Sequence, residues 1–582
     1  MMKKFTFLLL LISAVACQTE SLLDERLAAV GSLHGESVPE MIYITESNDG
    51  AVVVGKRTEN PYSVKNMKAA LHSMHSEVSV SAVADAGLRN AEKALMSLDV
   101  SDIVPTHYHV KFMPQTLEQL ETLEKDTDLL LSSIPFDCEC EGVGTLSYTP
   151  SDFNTDTHEV ILNAPIRPLY AVVPVDRILP DGILHSVEDE LFIPNKSDDV
   201  SAVSVLSREA ANVLVMRSMT LLGIADRNET VSPHYVNRYG YVRVFDPILN
   251  RYIGLKNVKV YISGYDGLRT VYTDENGMFV VDFPLAGGLT IFVEWSTPEF
   301  RVLNAASEQM RCYAFDIESH EFVLNLFCGE QQNVGTIWRV LTEHFYWDKN
   351  VLGNVSEYTD TQLDVVYRHE YNKDYAGLTS YNTGMPKITI WGLAYNEIYN
   401  KTNTELFTTT FHELAHAAMY LGCKHSGLKY SSYANVIKES WAKFVGWYMS
   451  KIVYQSYYGH RIFEKVTFKA NGAMYSCDIP TWYNRQNMTQ YEYLYGENKD
   501  YTPLFIDLTD DSNQNLYYQY YSTGQTGVYP DDEIVIDNPV LIYWLMEHSK
   551  NIAQLKTNLL NNADRFGLTA GVINNYFKFY GL

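Results

Sequence analysis

The stretch Phe411-His412-Glu413-Leu414-Ala415-His416-Ala417-Ala418 decides how the C-terminal part of this chain is read. Two histidines stand four residues apart, with a glutamate directly after the first. On a helix, positions i and i+4 lie on one face about one turn apart, so both imidazoles can reach a single metal ion. The glutamate falls in the neighbouring sector, beside the metal rather than on it.

The flanking residues predict the helix that this geometry needs. Thr402 and Glu405 have capping-box spacing. Leu406, Phe407, Phe411, Leu414, Ala415, Ala418 and Leu421 recur at helical spacing, and Gly422 is the expected terminator. The result is a helix of roughly five turns with the histidines near its middle. Two histidines and a glutamate meeting by chance on an ordinary amphipathic helix is the bland alternative, and the fitting helical context disfavours it.

The pattern resembles the H-E-x-x-H segment of zinc hydrolases, in which the glutamate is general base for water at the metal. Two histidines leave the site short of a ligand. A metzincin has a further histidine six residues beyond the second, where this chain has Gly422, and glycine where it has Met419, so that type is excluded. The next candidate is Glu439, in a second apolar helix over Val436–Val445 that Ser431 and Ser432 can cap. A glutamate placed there resembles the gluzincin arrangement, whose E-x-x-A stretch is matched by Glu439 and Ala442, the alanine letting two helices approach. A surface carboxylate beside Lys438 and Lys443 is the competing reading of Glu439, and His425 and His460 are the alternative ligands.

The whole chain bounds the setting. At 582 residues it exceeds one core, and 46% hydrophobic with 20% charged residues describes a folded protein of several domains. A net charge of -26 disfavours nucleic acid and anionic lipid as partners. Lys3 and Lys4, the apolar run Phe5–Ile12 and Ala14-Val15-Ala16-Cys17 form a targeting segment. It resembles a bacterial lipobox, departing from it in having Ala14 at the first position; the resemblance implies acylation of Cys17 and a polar tether over 18–39, in the manner of Bacteroides-type surface lipoproteins. Membrane contact is then through the lipid anchor, at the outer membrane or cell surface. Six cysteines remain. Cys312 and Cys328 could pair across neighbouring strands, Cys138-Glu139-Cys140 lacks a second pair for a zinc knuckle, and burial as small hydrophobes is the preferred reading.

The expected fold is multidomain α+β. Residues 40–235 mix strands, such as His107–Phe112 and Leu169–Val175, with a leucine-spaced helix over Leu117–Leu131. His107 and His109 share a strand face but have no third ligand nearby, and are expected at the surface. From 236 to 328 short strands take over, with Thr273-Asp274-Glu275-Asn276-Gly277 as a turn. This part resembles the carboxypeptidase regulatory-like domain, a small Ig-like β-sandwich, through that turn and the strand order. Residues 329–582 are expected to be a mainly helical, zincin-like domain, with a helix over Val334–Tyr346 and a strand at Ile388-Thr389-Ile390-Trp391. In zinc peptidases an edge strand in that position pairs with extended substrate; core packing explains Ile388 and Ile390 equally well.

The segments Asn60–Val64 and Tyr170–Val175, with the H-E-L-A-H-A segment and Glu-Ser-Trp-Ala, also resemble lipoproteins of Bacteroides-type bacteria. The resemblance implies a zinc metallopeptidase without naming a substrate. Zn2+ held by His412, His416 and Glu439 would keep a fourth position for water, and Glu413 would carry its proton to the leaving amine of a peptide. His460, His548 and the tyrosines are candidates for a second electrophile. The alternative is a surface binding or adhesion lipoprotein whose zinc site is structural or inactive.

Overall fold

A computed structural model describes residues 40–582, apart from 77–85, 195–205, 225–237, 481–499, 510–533 and breaks of eight residues or fewer. The targeting segment with Cys17, the 18–39 stretch, Thr402, Cys328 and His460 lie outside the described residues. Mixed α and β structure runs through the chain in several sheets. Among the described residues no helix is long and apolar enough to cross a membrane.

The N-terminal region runs β1 (Glu40–Ile44), β2 (Val53–Arg57), α1 (Val64–Ser76), α2 (Ala86–Met96), β3 (His107–Phe112), α3 (Leu117–Lys125), β4 (Cys138–Glu141), β5 (Val143–Gly144), β6 (Ser151–Asn154), β7 (Glu159–Leu162), β8 (Leu169–Pro174), β9 (His185–Leu191) and α4 (Arg208–Leu221). Helices α1, α2 and α4 share a core around Met67, Leu71, Leu95 and Leu214. Helix α3 stops well before Leu131. Asp126 turns back onto the amide of Asp128 and pairs with Arg177 at 2.7 Å, local bonds that compete with helix continuation. Leu129 and Leu131 remain buried outside the helix.

Strand β3 is the middle of an antiparallel β8-β3-β9 sheet. His107 and His109 are therefore buried, contrary to the surface expectation. A central strand has no free edge, and here the face carrying His109 is also covered. Its ring lies 5.2 Å from that of Phe136 and 5.8 Å from that of Tyr170, and neither ring nitrogen has a hydrogen-bond partner. Burial pushes its pKa down to about 4.

Next come β10 (Arg238–Asp246), β11 (Arg251–Gly254), β12 (Lys259–Gly264), β13 (Gly267–Tyr272), β14 (Met278–Val281), β15 (Leu289–Glu294), β16 (Phe300–Leu303), β17 (Arg311–Ile317) and β18 (Glu321–Leu326). One sheet has the order β1-β18-β10-β11, with β14 also on β10, and the other β13-β12-β15-β17-β5. Alternation divides each strand's residues by face. Val242, Val244 and Leu324 of the first sheet share a core with Val260, Ile291 and Val293 of the second. The other face of the second sheet, with Tyr261, Phe292 and Tyr313, packs on Ile134 and Phe136. The Asp274–Gly277 turn forms as its sequence suggests: the Asp274 carboxylate accepts from the Asn276 and Met278 amides, and Gly277 takes φ +76°.

Hydrogen bonding crosses the divisions at 235 and 328. Strand β1 pairs parallel with β18, β5 pairs with β17, and β16 pairs parallel with β19 (Leu363–Tyr371). Helix α5 (Gly329–Tyr346) presses Gly335 against Val244 and Leu326, where an added Cβ would come 2.9 Å from Leu326. Its Trp338 packs on Trp295 and Phe300.

Beyond α5 the described residues are more helical than extended, with a further sheet ahead of the helices. Strand β19, β20 (Gly377–Ser380), β21 (Lys387–Ala394) and β22 (Tyr399–Asn400) build a sheet with β16 in the order β16-β19-β21-β20. The runs Leu363–Tyr371 and Lys387–Ala394 are short, β-branched and mostly buried, which suits central strands. Helices α6 (Asn403–His425) and α7 (Asn435–Tyr458) follow, then a hairpin of β23 (Phe463–Ala470) and β24 (Ala473–Pro480). Last come α8 (Pro539–Glu547), α9 (Ile552–Asn561), α10 (Ala563–Phe566) and α11 (Ala570–Phe579). They brace the start of α7: the Ala434 amide donates to Lys550 O at 2.8 Å, and the Tyr433 hydroxyl to Glu547 O at 2.7 Å. Of the cysteines, Cys312 and Cys423 are buried, and Cys138 and Cys140 half-buried.

Candidate metal centre

Helix α6 carries the opening stretch, and it is buried on every side rather than along one stripe. Leu406, Phe407, Phe411 and Leu414 have no exposure, and Thr410, Ala417 and Glu413 are also enclosed. Each large apolar side chain of this kind contributes about 1.5–3 kcal/mol on burial. The helix does not stop at Gly422, which lies inside it. It stops at Gly427, with φ +69°, where the Leu428 amide bonds Cys423 O and the Gly427 amide bonds Lys424 O. That is a Schellman motif, which needs a left-handed residue that glycine adopts without cost.

Helix α7 crosses α6 at close range. A Cβ on Gly446 would sit 2.8 Å from Thr408 O, so glycine sets the approach, assisted by the fully buried Ala442. The entry to α7 differs from the expected serine cap. Tyr430–Ser432 forms a separate 3-10 turn, Ser432 bonds Lys429 O, and α7 begins at Asn435. Glu439 then lies one turn into the helix, beside the fully buried Ser440, whose hydroxyl meets that of Thr502 at 2.6 Å.

This packing brings His412, His416 and Glu439 together. His412 Nε2 and His416 Nε2 are 3.2 Å apart, and Glu439 Oε2 is 3.2 Å from His416 Nε2 and 3.4 Å from His412 Nε2. Ligands about 2.0–2.1 Å from a shared zinc at tetrahedral angles stand about 3.3–3.4 Å from one another. The triangle therefore matches one face of such a tetrahedron, and two imidazoles with one carboxylate are a donor set that suits zinc. Burial opposes the charged form of Glu439, but hydrogen bonds and charge from the two imidazoles outweigh it and hold the carboxyl well below its usual range. Among the described residues this is the one grouping of three such side chains. His425 is exposed at the end of α6, and His548 is stacked on Trp544; neither belongs to it.

Four residues that sequence reasoning missed complete the surroundings. Thr379 donates its hydroxyl hydrogen to Glu413 Oε2 at 2.7 Å. Gly377, two residues earlier, lies so close to Glu413 that a Cβ would stand 2.6 Å from its Cγ and 2.7 Å from Oε1. The Tyr430 hydroxyl is 3.2 Å from His416 Nδ1 and accepts from the Tyr381 hydroxyl at 3.2 Å. Burial raises the pKa of both tyrosines, so both stay neutral. The strand over Ile388–Trp391 is interior, with Ile388 and Ile390 in the core; the edge facing α6 belongs to β20. Neither the turn residue Tyr430 nor the strand residue Thr379 bears a local motif that marks it.

No protein-family model matches the chain, and no curated protein does. Among solved structures, a 9R-lipoxygenase from Cyanothece PCC8801 aligns with 46% of this chain and 42% of its own, at 8% identity and a TM-score of 0.11. A likeness that slight carries no argument about fold or function.

Proposed function

We propose that the protein is a zinc-dependent hydrolase of peptide bonds in extracytoplasmic peptides or proteins, of the gluzincin type. The observation that carries this is the triangle of His412 Nε2, His416 Nε2 and Glu439 Oε2, with sides of 3.2, 3.2 and 3.4 Å, and Glu413 held beside it. Zinc bound there supplies a Lewis acid that polarises a carbonyl and eases the ionisation of water.

The chain's own residues do the rest. His412, His416 and Glu439 would hold the ion, since all three come from two helices whose close crossing Gly446 permits. Glu413 takes a proton from the attacking water and passes it to the leaving nitrogen, serving as base and then acid. A site that only holds a metal needs no carboxylate there, and this one is enclosed at 5% exposure and oriented by Thr379. The lipobox-like segment ending at Cys17 supports a reaction outside the cytoplasm, on a lipid-anchored protein.

The test compares the purified protein with its Glu413→Ala form on a broad peptide and protein library. Cleavage by the parent alone supports hydrolysis at this site. Equal inactivity in both forms, with zinc bound, would favour a surface binding protein instead.

A further inference from the structure

We propose that β20 and the residue following it are the positioning element of the site, with Thr379 orienting the base and Tyr381 acting through Tyr430 on His416. This rests on the zinc reading above. Residues 379 and 381 stand two apart, and an extended chain directs such residues to the same side. Both are directed at α6. The Thr379 hydroxyl has two acceptors on Glu413, the carboxylate at 2.7 Å and the carbonyl at 3.1 Å. It has one proton, and the shorter, charge-assisted bond takes it. That bond fixes Oε2, so the carboxylate cannot rotate freely. Gly377 closes the other side against Cγ and Oε1.

Tyr381 extends the same segment to a ligand. Its ring stacks on Tyr420 at 4.4 Å, and its hydroxyl donates to that of Tyr430. Tyr430 in turn faces His416 Nδ1. An imidazole that binds a metal through Nε2 carries its proton on Nδ1, so the Tyr430 oxygen accepts from it. A partner on the second nitrogen fixes tautomer and ring orientation, and its loss typically costs 10–100-fold in metal affinity or activity. Tyr430 is itself held, with the Lys438 ammonium 4.9 Å from its ring centroid. Thr379, Tyr381 and Tyr430 are thus positioning residues, each acting through Glu413 or His416.

The two arms have separable readouts. Tyr430→Phe should weaken zinc binding about tenfold or more, measured by competition with a chromophoric chelator. It should also shift the visible spectrum of the cobalt-substituted protein, while the metal-free protein unfolds at the parent temperature. Thr379→Val should leave zinc affinity within about twofold and KM unchanged while lowering kcat about 10–100-fold, and Thr379→Ser should recover most of the loss. Parent-like zinc affinity and spectrum in Tyr430→Phe would overturn the ligand arm. Parent-like kcat in Thr379→Val, or no recovery in Thr379→Ser, would overturn the base arm. A parent that binds zinc yet cleaves nothing counts against the peptidase reading, and the Tyr430 measurement then decides the positioning proposal alone.

Discussion

Thr379 Oγ1 lies 2.7 Å from Glu413 Oε2, although 34 residues separate the two in the chain. The contact exists because β20 passes directly over α6, and Gly377 lets it do so. Gly377→Ala would place a methyl group within 2.7 Å of the Glu413 carboxylate. We expect about a 10–100-fold fall in kcat/KM, since a displaced base of this kind loses its alignment with the reacting atoms. Zinc stoichiometry should be kept. Steady-state kinetics on any peptide the parent cleaves checks this, and an unchanged rate would mean that the strand yields.

The helix crossing is a second point of control. Gly446→Ala sets a Cβ 2.8 Å from a backbone oxygen, Thr408 O, which cannot rotate aside. Overpacking of this kind costs about 1–3 kcal/mol. Because Glu439 and the two histidines sit on the two helices being pushed apart, zinc affinity should fall along with denaturant stability. Loss of stability with zinc affinity intact would uncouple the crossing from the site.

Behind α6, Asp246 of β10 takes Arg339 Nη1 at 2.6 Å and the Tyr454 hydroxyl at 2.8 Å, while its other oxygen accepts from the Ile248 and Leu249 amides. The Arg339 guanidinium lies over the rings of Phe407 and Tyr454. This buried network ties β10 to α5, α6 and α7. Asp246→Ala leaves a buried guanidinium without its carboxylate, and breaking such a pair costs about 3–5 kcal/mol. Urea unfolding of the two proteins measures it, and a single shared transition is expected for the two-sheet region and the helices α6 and α7.

His109 gives a pH signature. In the unfolded chain an imidazole gains its proton near pH 6.5. In the fold, burial against Phe136 and Tyr170 delays this to about pH 4, with Asp137, Glu188 and Arg57 as the nearby charges. Its contribution to stability is therefore whole above about pH 6.5 and is lost as pH falls towards 4, in all by roughly 3 kcal/mol. His344, buried and accepting from the Val355 amide, acts in the same direction. His109→Leu should flatten the fall in unfolding free energy between pH 6.5 and 4.5. A slope equal to the parent's would assign the pH dependence elsewhere.

The grouping of His412, His416 and Glu439 was legible because its information is local. Positions 412, 413 and 416 are fixed by helical period, and Glu439 lies on the next helix of the chain. The residues that orient them were not legible. Thr379, Gly377, Tyr381 and Tyr430 reach the site through strand order and a turn, and nothing local in the sequence encodes which strand passes over α6. Similar reasoning separates the turns. The Asp274–Gly277 turn carries its own hydrogen-bonding side chain, whereas α6 runs past Gly422, where Tyr358 packs against it, and ends only at the left-handed Gly427. His107 and His109 read as surface residues because alternation gives the side of a strand, not whether another layer covers that side. The pairing of β1 with β18 and of β16 with β19 joins segments hundreds or tens of residues apart, which no periodicity reports.

The most direct measurement of the central claim is the zinc retained per chain after dialysis, in the parent protein and in Glu439→Gln. One tightly held zinc in the parent, and none in the variant with its fold intact, is the expected result. Stoichiometric zinc retained by Glu439→Gln would contradict the assignment of Glu439 as the third ligand.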